Sequence, residues 1–339
     1  MRGRVLVGLV VVNAVLLGLG AARRRPDATA EKRLRVGLVL DVGGLGDKSF
    51  NDAAWRGLER AQADLDVETR FIEPGDGSDR ESAIRQLAAS GYDLVVGVGF
   101  IFTDDLRAAA ARFPAVRFAG VDFSVVPGAP PLPPNLVALR FREEEGSFLV
   151  GALAALVSRT KVVGFVGGMD IPLIRKFEAG YRAGVAATCA ACTVLAAYAG
   201  TDPRAFADPT TGKELALAQM DRGADVVYHA AGKTGAGVLG AAEARGKLAI
   251  GVDSDQFHEA PCCVLTSMVK GVDVAVYDTI RATAEGRFRP GVRELGLAEG
   301  GVGYVYDDRN KKWITDAVHA QVEALRARIV SGEIRVPSK

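Results

Sequence analysis

From residue 34 onward the chain alternates short apolar runs with amphipathic stretches. Val36, Leu38, Val39 and Leu40 form one run, closed by Asp41, as in a strand buried on both faces. Ala53, Ala54, Gly57, Leu58 and Ala61 then recur at helical spacing, behind Asp47 and Ser49 as candidate N-caps. The rhythm repeats. Strands are expected at 68–73, 92–99, 116–122 and 135–141, with helices at 79–90 and 103–112 between the first of them. A second series follows, with helices at 146–158, 171–187, 212–222 and 235–245. Its strands are expected at 162–167, 192–198, 225–231, 248–253 and 264–268. Helices at 272–286 and 313–330 close the chain. Strand–helix alternation of this kind implies α/β architecture, parallel sheets with helices on both faces. No short repeat is visible, but the shared rhythm of the two halves suggests two similar domains facing a cleft.

A proline cluster, Pro127, Pro130, Pro131, Pro133 and Pro134, separates the fourth strand from the fifth. Proline lacks an amide donor and does not sit in a central strand, so this segment reads as a surface loop near an interdomain crossing. In open α/β sheets ligands bind at the carboxyl ends of the strands. Asp41, Asp47, Phe50 and Asn51 fall there. An aromatic ring beside carboxylates and an amide suits a ligand with a flat ring and hydroxyl groups; the same residues also serve as caps and loop formers.

Composition narrows the field. The 339 residues are 49% hydrophobic and 24% charged, with a net charge of +1, so nothing argues for nucleic-acid binding. Arg2 and Arg4 precede an apolar run from Val5 to Ala22, and Arg23, Arg24 and Arg25 follow it. This order resembles a secretory signal, and the run is also nearly long enough for an uncleaved anchor. Either way the chain is expected to be exported. His229, His258 and His319 fit no zinc spacing, and no G-x-S-x-G elbow occurs. Gly232-Lys233-Thr234 lacks the glycine that a phosphate loop requires at position 227, which is Val227. No cofactor or metal is expected. In an oxidising compartment Cys189, Cys192, Cys262 and Cys263 suit disulfides, with Cys189–Cys192 the first guess; as small buried hydrophobes they would need no partner.

The residues also carry a resemblance. The run Asp41-Val42-Gly43 followed by Asp47-Lys48-Ser49-Phe50-Asn51 resembles the opening signature of the basic membrane protein, or PnrA-like, family of substrate-binding proteins of ABC importers. Further similar segments are FAGVD at 118–122, FREEEGSFLVG at 141–151, the stretch 163–184, GKELALAQMDRGAD at 212–225, residues 230–237, IGVDSDQ at 250–256 and VLTSMVK at 264–270. The match spans about residues 35–335. It implies the periplasmic-binding-protein type I fold: two Rossmann-like domains joined by a multi-crossover hinge, with ligand between them. The expected division is 1–33 as signal or anchor plus linker, 34–140 with 264–290 as the first lobe, and 141–263 with 291–335 as the second.

The resemblance implies a purine nucleoside as ligand, stacked between Phe50 and Phe177. Asn51 and Asp122 would hydrogen-bond the base, and Asp253 the ribose hydroxyls, with Lys270 and the Gly232 loop nearby. Asp41 and Asp47 match the polar floor of the pocket. The implied partner is an ABC permease, and the implied state is a non-catalytic monomer. Three departures stand out. Lys233 occupies a position where the family has glycine, Cys262-Cys263 replace small turn residues, and no cysteine follows the apolar run as a lipid anchor needs. Two other readings remain at this point, a membrane-tethered sensor of the same fold and an enzyme acting on nucleosides.

Overall fold

The computed structural model describes residues 33–74 and 79–339. The N-terminal apolar segment read as a signal or anchor lies outside them. Two six-stranded sheets organise the rest. The first contains β1 (Leu34–Val39), β2 (Val67–Ile72), β3 (Leu94–Val98), β4 (Arg117–Val121), β5 (Leu136–Phe141) and β11 (Gly291–Leu295), in the order β11-β5-β4-β3-β1-β2. The second contains β6 (Val162–Met169), β7 (Thr193–Gly200), β8 (Val226–Ala230), β9 (Leu248–Asp253), β10 (Val264–Lys270) and β12 (Val302–Tyr304), in the order β12-β10-β9-β8-β6-β7. All pairings are parallel except β10 with β12. The central strands are continuous apolar runs because helices cover both faces: every residue of β3 and of β8 is buried. The α/β, type I binding-protein architecture expected from the sequence is the one observed.

The helices are α1 (Phe50–Asp64), α2 (Arg80–Ala89), α3 (Thr103–Arg112), α4 (Glu143–Val157), α5 (Pro172–Thr188), α6 (Pro209–Asp221), α7 (Gly235–Arg245), α8 (Val272–Ala284) and α9 (Asp316–Val330). Helix α4 starts at Glu143, three residues before the start expected at Gly146, because Glu143, Glu144 and Glu145 occupy its first turn, where carboxylates are favoured. It packs on α5 through glycines: a Cβ on Gly180 or Gly184 would collide with the carbonyl oxygen of Glu144 or Phe148.

The lobe division differs from the sequence reading at two strands. Val264–Lys270, assigned there to the first lobe, pairs with β9 in the second sheet. Gly291–Leu295, assigned to the second lobe, pairs with β5 in the first. Helix α8 does pack on α1 of the first lobe. The chain therefore crosses between lobes three times, at Arg142, at Gly271 and between Leu295 and Val302. These crossings touch: the Arg142 amide donates to Leu295 O at 3.1 Å, and the Gly271 amide to Gly301 O at 2.8 Å.

A short internal repeat emerges that the sequence reading did not find. Strands β4 and β9 hold the same place in their sheets, third from one edge, and both run Gly-Val-Asp into the cleft, at Gly120–Asp122 and Gly251–Asp253. Both aspartates adopt left-handed backbone, with φ of 56° and 63°. Cys189 and Cys192 are bonded, with S–S 2.06 Å, as are Cys262 and Cys263.

Candidate functional site

One cavity lies at the carboxyl ends of the strands, where the two lobes meet. It encloses about 550 Å3 including its open mouth. Asp41, Asp47, Phe50, Asn51, Asp122, Phe177, Gly232, Asp253 and Lys270 all line it. The structure thus brings every candidate residue to one place. The two candidate rings converge: Lys270 Nζ lies 5.0 Å from the Phe50 centroid and 5.6 Å from that of Phe177.

The polar groups differ in what they have left to offer. Asp47 is spent. Its Oδ1 accepts the amides of Ser49 and Asp52 at 2.9 and 3.1 Å, and its Oδ2 accepts the Asn51 amide at 2.8 Å and Asn51 Nδ2 at 3.0 Å. It satisfies the orphan donors at the start of α1, so its task is that of a cap, which Ser49 at the N-cap position does not perform with its own side chain. Asn51 in turn accepts the Asp41 amide at 2.8 Å through Oδ1, leaving one amide hydrogen for the cavity. Among the described residues Asp41 accepts only the Val42 amide, at 2.7 Å through Oδ1. Asp122 Oδ2 accepts Lys270 Nζ at 2.6 Å, while its buried Oδ1 has no partner. Asp253 Oδ2 accepts the Ser49 hydroxyl at 2.8 Å.

Burial raises all four of these acids, Asp47 in spite of the amides it accepts. Asp41 rises to about 7, through burial and the neighbouring Asp122 and Asp47 carboxylates. Asp253 rises to about 6, with burial opposed by Lys270 and the Ser49 hydroxyl. Asp122 is raised by burial against the pull of Lys270. Lys270, only 3% exposed, is held protonated because Asp122, Glu143 and Asp253 outweigh its burial.

Sequence reasoning missed the charge network behind this lysine. Glu143, buried at the first crossing, lies 3.2 Å from Lys270 Nζ through Oε1. Lys176, one residue before Phe177, donates to Glu143 Oε2 and to Phe141 O at 2.6 Å, and lies 3.2 Å from Glu144. Burial resists ionisation of Glu143, but Lys270 and Lys176 together hold it below the usual carboxylate range. The signal for this network was the charged run at 142–145 beside the hinge. Phe100, Phe206, Leu173 and Ile174 also line the cavity and passed as ordinary apolar residues. His229 is buried and held neutral, pushed down to about 4 by burial; its Nε2 meets Gln256 Oε1 at 3.0 Å. Among the described residues no cluster fits a metal ion.

The lobes touch across the cleft. Ser49 Oγ reaches Val252 O at 3.1 Å as well as Asp253, Ser254 Oγ donates to Ser49 O at 2.9 Å, and Arg56 donates to Ser254 Oγ at 2.8 Å. Ser49 and Arg56 of the first lobe thus meet Val252, Asp253 and Ser254 of the second in a closed arrangement around a cavity with unspent carboxylate oxygens and flat apolar walls.

Comparison with known proteins agrees with this geometry. A solute-binding protein of an ABC transporter system from Aeropyrum pernix K1 superposes with a TM-score of 0.82 at 33% identity, covering 90% of this chain and 94% of that one. The CD4+ T-cell-stimulating antigen of Listeria innocua is 32% identical over 98% of this chain and 97% of its own. An uncharacterized lipoprotein of Pyrococcus abyssi is 37% identical over 88% of this chain and 75% of its own. The family model described as ABC transporter substrate-binding protein PnrA-like matches residues 34–339. The chain belongs to the family of PnrA-like ABC transporter substrate-binding proteins.

Proposed function

We propose that this protein binds a nucleoside, a purine nucleoside by preference, in the cleft between its lobes and hands it unchanged to an ABC permease. The observation that carries the reading is the convergence of Phe50 and Phe177 with Asn51, Asp122 and Asp253 on one cavity. A base stacked on an aromatic ring gains roughly 1–3 kcal/mol whatever its identity. Hydrogen bonds to a charged group add about 1.5–3 kcal/mol each, and Asp253 has an oxygen to spare for ribose hydroxyls. Membership of a family of transporter substrate-binding proteins supports binding without turnover. By the same reading the protein is exported through its N-terminal signal or anchor, works in the periplasm or at the outer face of the cytoplasmic membrane, and acts as a monomer.

The test is titration calorimetry against nucleosides, free bases and sugars. Ribonucleosides are expected to bind, and free sugars not. Asp253→Asn keeps a residue tolerant of the left-handed backbone and is expected to weaken ribonucleosides at least about tenfold, a loss of one charged hydrogen bond. Phe50→Ala is expected to weaken all bases alike. Unchanged affinity in the Asp253 variant, or a loss confined to one base in the Phe50 variant, overturns the assigned roles. Recovery of a cleaved base after incubation overturns binding without chemistry.

A further inference from the structure

The cavity wall carries an imbalance. Four carboxyl groups, Asp41, Asp47, Asp122 and Asp253, share it with one ammonium, Lys270. That ammonium is committed to Asp122 at 2.6 Å and to Glu143 at 3.2 Å. Asp47 is partly offset by its amide donors, and Asp253 by the Ser49 hydroxyl and the attraction of Lys270, although burial still raises both. Asp41 receives one backbone amide on Oδ1 and no cation at contact distance among the described residues. Its Oδ2 is pressed against the bare Cα of Gly99, where any Cβ would collide with it.

The charged groups around Asp41 favour a proton. Asp47 faces it from the turn before α1, and Asp122 from the end of β4. Arg80 of α2 is the cation that bears on it, and Arg80 is paired with Asp105 of α3 at 2.8 Å. Gly99 and Phe100, at the end of β3, contribute no charge. Across the cleft Lys233 lies opposite Gly43, two residues along the loop, while Asp253 and Lys270 line the far wall. A carboxylate with like-charged neighbours and a desolvated site holds its proton.

We propose that Asp41 faces the cavity as a neutral carboxylic acid, a hydrogen-bond donor among carboxylate acceptors. Resting on the nucleoside reading, this makes it, beside the Asn51 amide, a residue that selects for an acceptor atom on the ligand: a ring nitrogen or carbonyl oxygen of the base meets Oδ2–H. The direction of its titration agrees, with burial as the leading cause and a value of about 7. The proton stays on Asp41 throughout; no bond forms or breaks.

Two measurements decide it. In the ligand-free protein carrying 13C-labelled aspartate carboxyls, one signal is expected to titrate near pH 7 and to vanish in Asp41→Asn. If the signal that Asp41→Asn removes titrates in the ordinary carboxylate range, the proposal is overturned, whatever the ligand proves to be. In calorimetry with inosine, wild-type affinity is expected to fall above pH 7, by about tenfold per pH unit well beyond the midpoint. Asp41→Ala is expected to weaken inosine about tenfold or more at pH 6, and Asp41→Asn, whose amide still donates, to recover most of that without the alkaline fall. An Asn variant as weak as the Ala variant at pH 6 overturns the donor role. Failure of every nucleoside to bind the wild type overturns the proposed function instead, and the carboxyl titration still decides the protonation of Asp41.

Discussion

The Ser49 hydroxyl sets how far Asp253 can be acidified before it fails as an acceptor. Asp253 must be ionised to accept two ribose hydroxyls, and its value near 6 means the free site loses that form as pH falls through 6. Affinity for a ribonucleoside is therefore expected to weaken below about pH 6, as protons compete with the ligand. The Ser49 donor favours the charged form, so Ser49→Ala is expected to move this acid limb to higher pH. A limb that stays in place or moves down in calorimetric titrations of that variant sinks the assignment. At this scale the sequence was informative about which residues gather and uninformative about their states. The D-V-G and D-K-S-F-N segments marked Asp41, Asp47, Phe50 and Asn51, but nothing in their order told the spent carboxylate, Asp47, from the unspent one, Asp41. That distinction depends on which amides of the loop turn inward.

Among the elements, the α4–α5 pair fixes the site's second ring. Gly151, Gly180 and Gly184 let the two helices approach until backbone meets backbone. This holds Phe177 at the cavity and Lys176 against Glu143 and Glu144. Gly184→Ala forces a methyl against the Phe148 carbonyl and is expected to cost about 1–3 kcal/mol of stability. Chemical denaturation measures this directly, and an unchanged midpoint would show that the helices have room to give. The central strands and most helices were readable because their hydrophobic periods are unambiguous. Strands β11 and β12 were not. Gly291–Leu295 carries Arg293 and Glu294, exposed at a sheet edge, and Val302–Tyr304 is three residues long. Both owe their conformation to β5 and β10, not to any pattern of their own. The lobe boundaries slipped for the same reason, since sequence order does not reveal which sheet a strand joins after a crossover.

For the molecule as a whole, closure rests on a few interlobe bonds and a ligand that adds to them. Arg56 to Ser254 and Ser49 to Asp253 hold the lobes together in this structure. A ligand shifts the open–closed balance only by its preference for the closed form. Arg56 lies outside the cavity lining, so Arg56→Ala removes closure energy without touching the guest. It is expected to weaken affinity several-fold, chiefly through faster dissociation, and to raise the radius of gyration of the ligand-free protein in solution scattering. A variant that dissociates no faster and scatters like the wild type would mean that Arg56 does not hold the lobes shut.

The left-handed backbone shared by Asp122 and Asp253 bears on how such a receptor can diverge. Only glycine, asparagine and aspartate enter that region at little cost, so drift at both strand ends is funnelled into a three-letter vocabulary. Within it a single nucleotide change turns aspartate into asparagine, exchanging a charged acceptor for a neutral donor–acceptor while leaving the main chain undisturbed. A lineage acquiring a new cargo has two matched positions, one per lobe, where it can rewrite polarity without first repairing its scaffold.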